Sequence, residues 1–184
     1  MSKLPSRIVE AIRRNHLFIL ASSVVYFSGV IVGILAVSTI ELESVPTFVE
    51  SYRVRVDGTM TIFETNATVL TTVLAGALTF SGTSLVGLFT SGFVHAAVLV
   101  SLPVSVFEFG KFFVPHALVE LPAVWIGGSV GLRIPYELVQ FLRGVRTESV
   151  SKREVIDMLL LTIVAYVGIA LAAVIEGALL RYVT

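Results

Sequence analysis

Five stretches of this 184-residue chain are apolar for long enough to cross a bilayer, and the polar residues gather between them. A transmembrane helix needs about 20 such residues. The stretches run from His16 to Ile40, about Ile62 to Phe80, about Leu85 to Phe107, 115 to 133, and Met158 to Leu180. Ser-Gly-Thr-Ser at 81–84 reads as a tight break, and Pro103 as a bend in the third stretch. The pattern predicts an all-α polytopic membrane bundle, one integral membrane domain over 1–184, with its termini on opposite sides.

Outside the spans the periodicity changes. Residues 5–15 set Ile8, Val9 and Ile12 against Arg7, Arg13 and Arg14, which reads as an amphipathic entry helix on the membrane surface. Residues 135–158 read as a loop with a short helix started by Pro135, followed by a basic stretch suited to topology and lipid contact. Basic residues near the span ends set orientation. With the N-terminus inside, Lys3, Arg7, Arg13, Arg14, Arg133, Arg143, Arg146, Lys152 and Arg153 face the cytoplasm. Only Arg53, Arg55, Lys111 and Arg181 face out, in part from an external loop over 41–61 that starts acidic. The bias predicts N-in, C-out.

Composition strengthens this picture and removes alternatives. The chain is 55% hydrophobic and 14% charged, with a mean hydropathy of +0.93; a soluble domain has roughly a quarter of its residues charged. A net charge of zero gives no basis for nucleic-acid binding. With no cysteine, disulfides, Fe–S clusters and thiol catalysis are excluded. The first apolar run is too long for a cleavable signal peptide and lacks a small-residue cleavage site.

Small residues mark where membrane helices pack closely. Gly29/Gly33 in the first span and Gly127/Gly131 in the fourth are GxxxG pairs, and the fifth offers Ala165, Ala172, Ala173 and Gly177. His116, Glu120, Gly127 and Gly131 fall on one stripe of the fourth span, and Glu176 neighbours Ala172 and Ala173 in the fifth. At 1.5 Å per residue, Glu120 and Glu176 both lie roughly 6–8 Å below the external boundary, with Asn66 at a similar level. The expected site is therefore an outer-leaflet polar cluster of Asn66, His116, Glu120 and Glu176. The small-residue faces predict self-association through the first or fourth span.

The fourth stretch, Pro-His-Ala-Leu-Val-Glu-Leu-Pro-Ala followed by Gly-Leu-Arg at 131–133, resembles the signature of the stage II sporulation protein M family. Ala117 stands where that family usually has glycine. Ile-Phe-Glu-Thr-Asn-Ala-Thr at 62–68 resembles its Asn-rich second span, with Asn66 where two asparagines are common. Ala-Ala-Val-Ile-Glu-Gly at 172–177 resembles its C-terminal segment. The resemblance implies a polytopic helical protein with no established catalysis. It also implies, for the member that names the family, a role as membrane anchor for peptidoglycan-cleaving partners. The role of relatives outside sporulation is unknown.

Three readings of His116 and Glu120 stand beside one another. In the first, Glu120 satisfies backbone freed by a helix break at Pro115 and Pro122, or pairs with His116 or Arg181. In the second, the carboxylates belong to a proton or solute pathway. The third is a metal site, for which the sequence shows no HExxH and no third ligand nearby, although Glu176 could supply one; no metal and no cofactor are expected. His95 is expected to hydrogen-bond across helices and Trp125 to pack. The functional expectation is a non-catalytic scaffold or anchor, with a small oligomeric transporter or channel as the alternative. The expected partners are membrane lipid, a second copy of the chain, and other membrane or cell-envelope proteins.

Overall fold

The computed structural model describes residues 3–39, 58–101 and 106–181. Five helices follow in order: α1 (Lys3–Thr39), α2 (Thr59–Leu74), α3 (Gly82–Ser101), α4 (Val106–Leu142) and α5 (Lys152–Arg181). The external loop as far as residue 57, the bend expected at Pro103 and the side chain of Arg181 lie outside the described residues. No strand occurs among those described.

Among the described residues, four helices are long and apolar enough to span a membrane: α1, α3, α4 and α5. The remaining helix, α2, has 16 residues and continues into a 3-10 turn at Ala75–Ala77. At about 1.5 Å per α residue and about 2.0 Å per 3-10 residue, the two together reach about 30 Å, the thickness of the hydrocarbon core. The chain then reverses through Leu78–Ser81, with Phe80 and Ser81 at positive φ (50° and 67°). The Ser81 amide donates to the Gly76 carbonyl (2.8 Å), and the Ser84 hydroxyl to the Val73 carbonyl (2.6 Å). Of the expected 81–84 break, only Ser81 lies in the turn; Gly82–Ser84 already belong to α3.

The central helix is α4, packed against each of the other four. Positions 126–131 of α4 are buried without interruption, and Ser129 is fully inaccessible. On the outside, α5 presents Leu159, Ile163, Val167, Leu171 and Val174 as an exposed stripe, and α1 presents Leu17, Leu20, Val24, Ile31 and Leu35. Apolar stripes outside and Asn15, Ser22, Arg133, Glu137 and Asp157 inside suit a bundle whose solvent is lipid.

Several expectations change. Residues 5–15 are not a separate surface helix but the opening turns of α1. Pro135 starts no new helix and lies inside α4, which also includes Val106 and Phe107, placed by the sequence in the third span. The helix break expected at Pro115 and Pro122 is absent, because α4 runs unbroken through both. Each proline removes one amide donor, a local loss that packing on four neighbours outweighs. Leu118, whose carbonyl Pro122 leaves without its helical donor, is 70% exposed, and Pro122 is exposed beside it, while Glu120 is buried on another face. Glu120 therefore does not serve that carbonyl.

The glycine faces are also reassigned, from self-association to packing within the chain. A Cβ on Gly29 would overlap the Phe89 carbonyl of α3, and one on Gly33 would come within 2.7 Å of the Phe93 carbonyl. A Cβ on Gly127 would strike Leu70 of α2, and one on Gly131 the Ser84 hydroxyl. Close backbone approach of this kind, which only glycine permits, joins α1 to α3 and α4 to the α2–α3 turn.

Candidate functional site

At the end of the bundle where α5 finishes, His116 and Glu120 stand one turn apart on α4, and Glu176 reaches them from α5. One ligand-capable atom from each lies within 4.8 Å of the other two. Glu120 is only 8% exposed. Position 176 is fixed from both sides: Ala172 and Ala173 are fully buried, and a Cβ on Gly177 would overlap Thr59 of α2. The Phe113 ring meets His116 edge-on at 5.4 Å and His95 at 5.7 Å. His95 bonds to the Tyr26 hydroxyl at 2.9 Å, a link between α1 and α3. Trp125 packs against the rings of Tyr26 and Phe27.

Glu120 also lines a cavity of about 500 Å³ between α2 and α3. The two helices meet where Gly87 lies against Val73, and Gly87 also lines the cavity. Asn66 stands on its wall, on the same cavity as Glu120. Thr65, Thr68, Thr72, Thr83, Thr90 and Ser91 complete a hydroxyl lining, over a floor of Tyr26, Leu121 and Val124. Thr65, Thr68, Thr72 and Ser91 donate to carbonyls one turn back on their own helices. Their oxygens are left able to accept from something in the groove. Thr68, Thr72, Val86 and Thr90 are exposed, so the groove opens sideways, between helices.

The opposite, basic end holds a polar network that the sequence reading missed. Arg133 is 7% exposed and donates to Asn15 (2.6 Å), Glu137 (3.2 Å) and Glu154 (3.1 Å). Arg146 pairs with the same two carboxylates, reaching Glu154 at 2.9 Å and also bonding Glu137. The hydrogen bond to Glu154 raises the Arg146 guanidinium above its ordinary value, so it stays charged. Ser151 and Glu154 cap the start of α5 reciprocally. Arg14 and Asp157 join α1 to α5 at 2.5 and 2.7 Å. Two visible cues point to this network: Arg133 and Glu137 at i, i+4, and the capping-box spacing Ser151-x-x-Glu154.

The pattern of α4 with its His-x-x-x-Glu turn, closed by Glu176, extends over a region that a family model covers. The model described as Stage II sporulation protein M matches residues 22–179. The chain belongs to the stage II sporulation protein M family. It is a membrane protein of that family, an all-α bundle. It is also similar to an uncharacterized protein of Methanocaldococcus jannaschii, with 26% identity over 120 residues. That match covers 62% of this chain and 66% of the relative's length. No solved structure matches.

Proposed function

We propose that this chain is a non-catalytic, multi-pass scaffold of the cell membrane, whose groove between α2 and α3 holds a transmembrane helix of a cell-envelope partner. The observation that carries the reading is the groove's lining. Hydroxyl side chains, Gly82 and Gly87 border a slot that opens sideways between two helices, and small and hydroxyl residues are the surfaces by which membrane helices associate. Family membership supports it, since the resemblance implies an anchor role for the naming member. The basic end faces the cytoplasm in this reading.

A photoreactive residue replacing Val86 in native membranes should cross-link a membrane protein, whereas one replacing Val174, exposed on α5, should not. Filling the slot with Thr90→Trp, at an exposed position of its lining, should abolish the cross-link. Equal cross-linking from both positions, or lipid products alone, refutes the reading. A product of twice the chain mass would make a second copy the occupant. A solute pathway is favoured by one observation, that hydroxyls line the groove from Thr65 down to Thr83. Flux through reconstituted vesicles would decide for it.

A further inference from the structure

Placing a buried carboxylate beside a second, half-buried one is costly unless positive charge is shared between them. Glu120 and Glu176 meet this condition only with help. Glu120 is nine-tenths buried, and no hydrogen bond or ion pair to it is found among the described residues. Arg133 is engaged at the far end of α4, thirteen residues and about 20 Å away along the axis.

The geometry points to a divalent-cation site formed by His116, Glu120 and Glu176, taking a first-row ion such as Zn²⁺ or Mn²⁺. Two carboxylates and a dication sum to zero charge, the balance that a lipid-embedded site requires. One imidazole with two carboxylates suits ions that accept mixed nitrogen and oxygen ligands, whereas Mg²⁺ and Ca²⁺ prefer oxygen alone. Ligand atoms about 2.1 Å from a tetrahedral metal stand about 3.4 Å from one another. Atoms already within 4.8 Å reach that spacing by side-chain rotation, with the helices in place. His116 and Glu120 share one helical turn, and Glu176 is fixed by the α5 contacts with α2, so the three arrive from rigid elements. Three protein ligands leave a coordination position, and Glu120 also lines the groove. The site does not depend on what fills the groove.

The test is titration of metal-stripped, full-length protein in detergent with Zn²⁺ alone and then Mn²⁺ alone, by calorimetry. One equivalent per chain is expected, bound at least 10-fold more weakly after Glu120→Gln, Glu176→Gln or His116→Ala. X-ray absorption at the Zn edge of the wild-type complex should show one imidazole with oxygen neighbours, a readout that stands even where a variant folds poorly. Absence of stoichiometric binding by the wild type overturns the site. Binding unchanged by all three substitutions, or a spectrum without imidazole, does the same. An infrared band of protonated carboxyl in metal-free wild type, lost in Glu120→Gln and unmoved by added metal, assigns the charge balance to a proton and also overturns it.

Discussion

Replacing Arg133 with methionine removes a buried cation while roughly keeping its volume. The Arg133 side chain is 9% exposed and lies between two carboxylates and Asn15. Two arginines and two glutamates make the network neutral. Arg133→Met leaves one uncompensated negative charge and an Asn15 carbonyl oxygen without its donor. Breaking a buried pair by removing one partner costs about 3–5 kcal/mol. Arg146 still holds both carboxylates, which places the expected loss near the lower limit, about 3 kcal/mol. Adding Glu137→Gln to this variant restores neutrality, so the double mutant should lose less than the sum of the singles, by about 1–2 kcal/mol. Unfolding in mixed micelles can be followed by Trp125, the one tryptophan of the chain, whose ring contacts Tyr26 and Phe27 report packing at mid-bundle. A loss under about 1 kcal/mol, or strict additivity, would show that the network is surface-like in its energetics and refute the reasoning.

Gly29→Leu should abolish folded, monodisperse protein, because the α3 backbone stands where its side chain would go; Gly110→Ala, with open space around it, should be silent in the same size-exclusion assay. Glu120→Gln should keep the fold and Glu120→Leu should damage it, read by thermal unfolding of the two variants side by side. Tyr26→Phe removes the hydroxyl bonded to His95 and should destabilise by about 1 kcal/mol, measured on the same Trp125 signal. A reporter active only in the cytoplasm should work when fused at the N-terminus and fail at the C-terminus; the reverse would invert the orientation.

The helices were legible because lipid demands runs of a fixed length, and α1, α3, α4 and α5 contain such runs. The end of α2 was not: hydropathy carries on to Phe80, whereas the backbone tightens at Ala75 and turns left-handed at Phe80 and Ser81. The spacing of His116 and Glu120, with the depth of Glu176, pointed to residues that the structure brings together. Depth along an axis cannot say which helix faces which, so it could not show that Asn66 and Glu120 line one groove between α2 and α3. The same limit explains the glycines. A small face can be read in sequence, but its partner, α3 for Gly29 and Gly33, cannot. Arg133 and Arg146 were counted as orientation signals, a use that hides the possibility of burial. The threonines of α2 and α3 are unremarkable one by one and become a lining only when the two helices face each other.

The central claim is that the groove between α2 and α3 opens to lipid and receives a helix. The chain has no cysteine, so single cysteines at Thr72 and Thr90 report those positions alone. Treatment of intact membranes with a charged, membrane-impermeant thiol reagent from either side should leave both unlabelled, with labelling only after detergent and denaturant. Ready labelling of both positions in intact membranes would put water along the groove and contradict the account.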